Sequence, residues 1–462
     1  MQKFPRTTHS SGLNAAIGNC RLNTHRTSLW RVVISSVRRT SPSIAGFVLS
    51  LAPALAGATN GLNLIGYSAE SVGMGGADVA TARDASALNT NPAGICQIEG
   101  TRFDFFIDDA LARDVAHADS FGNDVGVSNR QAVVANAGVV QHLATLPVSI
   151  GLGVFVQGGS GVVYKGVNTA FGTTDTLSAQ LGFVKLAPGA AWNVTDALAI
   201  GVSAAATGGE AKERLFPGTS VFNPGSPQAS FFGVELKNLE AEGLGARLGA
   251  LYKWSPTVSL GASYIDKVSL PFSHGTAQVN YSAIGMGEVT YHDAKVDGLA
   301  LPREADIGAA WQVTPDTLVS FKTGWLQWAG ALKTETTTLS NPDRAGVPTS
   351  VQSSASLDWK NQFVFAVGAA WQIDPVTLYA GFNYGRNPIP ASRTSPLLAA
   401  IGEEHLTGGM AYQFNAGWSA SLSVEYLRDK EVTYTNPQMP FGPGAQERTG
   451  YTALGVQLSR QW

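Results

Sequence analysis

Charge is scarce in this chain. Asp, Glu, Lys and Arg together make up 14% of 462 residues, against about 25% in a usual soluble domain. That shortage argues against a typical cytosolic enzyme. Long apolar runs are missing as well. Outside a short stretch near the start, no window offers about 18 unbroken apolar residues, so no transmembrane helix is expected. Cysteine is nearly absent, with Cys20 and Cys96 alone. His142, His274, His292 and His405 are scattered, with no serine partner at suggestive spacing, so a nucleophilic enzyme site is not predicted. No metal or cofactor is expected. The small-residue run Gly73-Met74-Gly75-Gly76 lacks the Lys-Ser/Thr pair of a phosphate loop.

What is present begins with a distinct leader, residues 1–56. It carries Lys3, Arg6, Arg21, Arg26, Arg31, Arg38 and Arg39, and no acidic residue. After Arg38-Arg39 comes SIAGFVLSLAPALA, a short apolar run ending in Ala54-Leu55-Ala56. A basic region, a run of this length and an A-x-A site make a secretory signal peptide, with cleavage expected after Ala56 or Ala58. Roughly 30 residues precede the usual basic region, from an upstream start codon or as a long leader. With the leader removed, 24 basic residues remain against 34 acidic ones. Nucleic acid is therefore an improbable partner. Cys20 leaves with the leader, so an exported chain keeps one thiol and forms no internal disulfide.

Glycine is abundant, at 52 residues, and a phrase repeats. AAWQVTPDTLVSF starts at Ala309 and AAWQIDPVTLYAG at Ala369. Looser copies are AAWNVTDALAIG from Ala190, LYKWSPTVSLGASY from Leu251, MAYQFNAGWSASLSV from Met410 and HLATLPVSIGLGVF from His142. Each is an alternating run, a short polar turn and another alternating run, the mark of a β-hairpin. The other hairpin ends are long polar or Gly/Pro-rich stretches near 112–128, 165–177, 207–240, 271–299, 329–358, 388–402 and 431–447. Short turns at one end and long loops at the other describe an outer-membrane barrel.

About fourteen strands can be counted between 101 and 462, an even number with both termini on the short-turn side. The predicted fold is all-β: a transmembrane antiparallel barrel over 101–462, preceded by a plug over 57–100. Phe363, Phe365, Val367, Ala369, Trp371 and Ile373 share one face, and smaller residues share the other. In a barrel the apolar face meets lipid, and the small or polar one faces the lumen. Trp192, Trp254, Trp311, Trp371 and Phe414 fall on the apolar parity beside short turns, where amphipathic rings favour the membrane interface. The last strand ends on Trp462 and resembles the terminal signal read by the barrel assembly machinery, with Arg460 as an exception on its apolar face.

Residues 57–100 do not alternate. They contain Gly73-Met74-Gly75-Gly76-Ala77 and ADVATARDASALNTNPAG, with Asn91-Pro92-Ala93 as a turn by its own chemistry. Such a segment before about fourteen strands resembles the FadL/TodX family of outer-membrane transporters of long-chain fatty acids and other hydrophobic compounds. The resemblance implies a hatch inside the barrel, ligand capture between the third and fourth external loops, and sideways exit at a kinked third strand. It also implies that the turn Asn91-Pro92-Ala93 faces that kink.

The residues fit those parts. The third loop, 207–240, holds Phe216, Phe222, Phe231, Phe232 and Leu236, which either bind ligand or pack the loop. The third strand breaks at Gly158-Gly159-Ser160-Gly161, a bulge or bend, or else a glycine-rich stretch near the outer end. By parity Lys185, Arg247 and Lys322 point inward, either to a ligand carboxylate or to lumen acids such as Glu304, Asp306 and Glu425. The expected function is passive uptake of hydrophobic molecules by a monomer set among outer-membrane lipid and lipopolysaccharide. A general diffusion porin or surface adhesin is the alternative.

Overall fold

Alternation between lipid and lumen writes each strand, and the computed structural model contains fourteen of them in the barrel. It describes residues 60–462 apart from 399 and 416, so the leader lies outside the described residues. The barrel strands are β1 Thr101–Ala112, β2 Gln131–His142, β3 Val148–Asn168, β4 Thr174–Asn193, β5 Leu198–Val221, β6 Phe231–Lys253 and β7 Val258–Ile265. They continue as β8 Glu304–Thr314, β9 Thr317–Leu326, β10 Gln362–Ile373, β11 Val376–Gly385, β12 Glu404–Asn415, β13 Trp418–Leu427 and β14 Tyr451–Gln461. Each pairs antiparallel with the next, and β1 pairs with β14 from Arg102↔Gln461 to Ala112↔Tyr451, closing the barrel. No described helix is long and apolar enough to cross a membrane; the strands do so.

The outward face is apolar as the parity predicts. In β10, Phe363, Phe365 and Trp371 are exposed, while Val364, Ala366 and Ala370 are buried. The aromatic belt stands outside the wall, from 48% exposure at Trp192 to 69% at Trp254. Arg460, the exception on β14, lies with its guanidinium 4.9 Å from the Trp418 ring and 5.9 Å from Trp462. Two aromatic faces accommodate the charge at the interface.

The outer side departs from the expected loops. The stretch 207–240 is not a loop: β5 and β6 continue as one ladder from Leu198↔Tyr252 to Val221↔Phe231, with bulges at Ala211/Glu213 and Leu215/Ser220. Polar residues there read as loop, yet they alternate, and Arg214 pairs with Glu235 across the strands at 2.6 Å. Likewise 271–299 holds a hairpin, Phe272–Asn280 with Glu288–Asp297, that adds to β6. A second hairpin, Thr334–Pro342 with Ser350–Ser356, pairs with it in turn. A separate four-stranded sheet is built from 116–118, 124–126, 430–434 and 445–449. At its centre His117 is buried, 3.1 Å from Asp119 and 3.4 Å from Glu447, and the Tyr164 hydroxyl donates to Glu447 at 2.7 Å.

Residues 60–100 fill the lumen. Ser68 caps the helix Ala69–Gly73, while Asp84 and Asn91 cap two 3-10 turns, Ala85–Leu88 and Pro92–Gln97. Tight turns pair part of this segment's backbone internally, as from Gly76 to Ser71 and from Thr81 to Asp78, and the wall takes up other groups. Ser320 donates to the Ala77 carbonyl (2.6 Å), Ser203 to Leu88 (2.7 Å), Ser263 to Thr90 (2.6 Å) and Asn383 to Gly75 (2.9 Å). Gln457 and Asp104 accept from the Ala69 and Ala85 amides. A buried carbonyl or amide left unpaired would cost about 1–3 kcal/mol. The polar residues of the lumen face are therefore spent largely on the plug.

Candidate functional site

Three parts meet where the plug touches the wall: an ion network, an interruption in β3, and an apolar cluster reaching outward.

The ion network holds the three predicted lumen cations. Arg247 on β6 donates to Glu304 on β8 at 2.5 Å and to Ser263 at 2.9 Å, and lies 3.6 Å from Asp306. It also reaches the Thr90 carbonyl of the plug at 3.4 Å. Glu304 accepts from plug Asn63 at 2.6 Å. Lys322 on β9 lies 3.7 Å from Asp78, and Lys185 on β4 donates to Asn89 at 2.8 Å. All three inward cations thus face plug groups. Between plug and wall remains a cavity of ≈ 40 Å³, lined by residues including Asn60, Asn63, Thr90, Arg247, Glu304 and Lys322.

The interruption lies at Gly158-Gly159. Strands β2 and β3 pair only from His142↔Ser149 to Ala137↔Val154. Above that, the Val156 amide bonds to the Asn136 side chain, and contact resumes only at Ser128 and Asn129 with Val163 and Gly161. Phe155 to Val162 are buried without alternation, so this stretch has withdrawn from the lipid face. Gly158 and Gly159 have φ of 143° and 151°, values that glycine adopts without strain. The plug occupies the vacated edge. Asn63 bridges Gly158, the Gly159 amide donates to the Leu62 carbonyl at 3.1 Å, and Gln157 bonds to the Tyr67 hydroxyl at 2.6 Å.

The turn Asn91-Pro92-Ala93 lies elsewhere than the resemblance implied. Asn91 donates to Val79 (2.7 Å) and to Ala250 of β6 (3.0 Å), and Ala93 packs on Ala199 and Leu251. It faces β5 and β6 because Gly201 and Gly249 leave room there. A Cβ on Gly249 would sit 2.1 Å from the Asn91 Oδ1, and one on Gly201 2.4 Å from the Ala93 amide. The residues at the kink are Asn60 to Tyr67. Their only signal in the sequence was their place at the head of the non-alternating segment.

The loop aromatics divide into two groups. Phe232 and Leu236 belong to a large cluster with Phe183, Phe272, Tyr281, Trp328 and Trp359, which reaches inward to Leu62 of the plug. Phe216 and Phe231 pack in another with Tyr164, Tyr434 and Phe441. Phe222 stays exposed at the tip. The cluster with Phe232 therefore runs from the outer hairpins to the residue that bonds to Gly159.

A family model described as outer membrane protein transport protein (OMPP1/FadL/TodX) matches residues 50–460. The chain belongs to the OMPP1/FadL/TodX family. Its place is the outer membrane, and the family is one of transport proteins. Solved structures share the fold. The toluene transporter TbuX of Ralstonia pickettii is 21% identical with a TM-score of 0.69, covering 87% of this chain and 99% of its own. The toluene transporter TodX of P. putida gives 20% and 0.70 over the same shares. A FadL homologue of Pseudomonas aeruginosa gives 15% and 0.67, again over 87% and 99%. No protein of curated function matches by sequence. The expected barrel with an internal hatch is the fold of this OMPP1/FadL/TodX chain.

Proposed function

We propose that this chain is a passive conduit for hydrophobic molecules across the outer membrane, capturing them at the outer hairpins and releasing them sideways at β3. The observation that carries this is the apolar cluster from Phe232 to Leu62, which ends beside the only stretch of β3 without a β2 partner. Apolar ligands crossing a lipopolysaccharide leaflet need such a path, and no energy source is required once they reach the bilayer. The toluene transporters and the FadL homologue share the barrel fold in which this route is proposed. The segments are a removable leader (1–56), a hatch (57–100) and the barrel (101–462), working as a non-enzymatic monomer inserted by the barrel assembly machinery. Among the predicted residues, Phe232 and Leu236 line the path, Gly158 and Gly159 form the exit, and Asn91, Pro92 and Ala93 seat the hatch.

A general diffusion porin is the competing reading, and the filled lumen disfavours it. Cells lacking their own hydrophobic transporters, expressing this chain or an empty vector, separate the two with labelled hydrophobic compounds and a labelled sugar. Uptake of the hydrophobic compound alone is expected. Equal flux of both would end the proposal.

A further inference from the structure

We infer that the passage selects uncharged hydrophobic molecules over carboxylates. This rests on the import reading and names its substrate class.

The first observation is that the three inward cations predicted from parity already have resident partners. Arg247 is held by Glu304 and Asp306, and Lys322 lies by Asp78. Lys185, 2% exposed, is closed off behind Asn89. The cavity between plug and wall is already balanced, with Arg247 and Lys322 against Glu304 and Asp306. A ligand carboxylate would have to displace a resident partner to gain a counter-charge. Lys333, Lys360 and Arg386 are solvent-exposed, where salt screens them.

The second observation is that the mouth carries acid instead. On β5, Lys212 and Arg214 point outward and Glu213 between them points in. On the strand Thr334–Pro342, Glu335 shares parity with Leu339, which is buried in the apolar cluster. No hydrogen bond or ion pair holds either carboxyl among the described residues. Burial first, and Glu335 second, push Glu213 up to about 8; burial also raises Glu335. Glu213 sits opposite Leu236 in the ladder, so these carboxyls border the same apolar surface that leads inward. An incoming carboxylate brings further negative charge to a place that already disfavours two. An alkane, an arene or an alcohol brings none, and a hydroxyl can bond to either carboxyl.

The test compares dodecanol with dodecanoate, which share a chain and differ in charge, at pH about 8 where the free acid is ionised. Uptake is measured in cells expressing the chain against cells with empty vector. Dodecanol uptake above the vector level, with dodecanoate at that level, supports the inference. Dodecanoate uptake equal to or above that of dodecanol overturns it and leaves the import reading standing. Neither compound above vector overturns the import reading, and this inference with it. A second arm uses Glu213→Lys, with heat-modifiable gel migration as the check on barrel folding. Replacing the acid by a cation is expected to raise the dodecanoate-to-dodecanol ratio roughly tenfold, the effect of one charge reversal in partly dehydrated surroundings. A folded variant with an unchanged ratio overturns the assignment of selectivity to the mouth.

Discussion

Arg247 should be the residue on which the seating of the hatch depends most. Arg247→Met keeps a long side chain but removes the charge facing Glu304 and Asp306, whose side chains are only 12% and 10% exposed. It also strips Ser263 and the Thr90 carbonyl of a donor. Removing one partner of a buried ion pair costs about 3–5 kcal/mol, because the remaining charge is left stranded. The strand ladders of β6 with β5 and β7 do not involve this side chain, so the wall should stay closed. The penalty therefore falls on the docked hatch, raising the undocked population roughly a hundred- to several-thousandfold. The assay is leakage of a hydrophilic antibiotic too large for general porins into cells expressing the variant. Leakage is expected with Arg247→Met, and partial resealing with Arg247→Met/Glu304→Gln, which removes one stranded charge. A single variant as tight and as heat-resistant as the parent would refute the view that this network holds the hatch.

Other perturbations probe the remaining parts. Gly158→Val should abolish most hydrophobic uptake while leaving gel migration of the barrel unchanged, because its Cβ would sit 1.9 Å from the Leu62 carbonyl oxygen. Uptake at the parent level would remove the kink from the mechanism. Phe321→Arg places a charge on the lipid face, where Phe321 is half exposed, and should destabilise the barrel by about 2–4 kcal/mol in urea titrations in lipid if it lies near the midplane. In the outer sheet, burial alone would lower His117, but hydrogen bonds and charge from Glu447 and Asp119 outweigh it and raise it above its ordinary value. Burial also raises Glu447. Both groups bind protons more tightly folded than unfolded, so their stabilisation is complete at low pH and is lost as pH rises through the folded values. Hydrogen-exchange protection at 116–126 and 445–449 should thus be greater near pH about 6 than near about 9; the reverse order would contradict the assignment.

What was legible depended on which force wrote it. Lipid acts on every second residue of every strand, so Phe363, Phe365 and Trp371 declare the barrel through repetition alone. The extension of β5 and β6 was hidden because its outward face meets water beyond the apolar band, so no lipid-facing apolar repeat marks it. There Lys212, Glu213 and Arg214 look like loop, although cross-strand pairing with Glu235 keeps them in a ladder. The inward direction of Lys185, Arg247 and Lys322 followed from parity. Their partners did not, since Asn89, Thr90 and Asp78 lie in a segment with no period to anchor it. The seat of Asn91-Pro92-Ala93 was the least legible, because Gly201 and Gly249 specify it by what they lack.

Those two glycines belong to a wider pattern on the inner wall. A Cβ on Gly261 would meet Val79 at 2.2 Å, on Gly368 Met74 at 2.5 Å, and on Gly381 Gly75 at 2.3 Å. The inside of the barrel is thus a cast of its own hatch, hollowed where the chain presses closest. A barrel stripped of residues 60–100 would not be an oily tube. It would be a hole rimmed by glycine, serine and charged side chains, open to water and sugars. On the proposed route, the hatch turns a polar cylinder into a closed wall past which an apolar passenger would leave sideways.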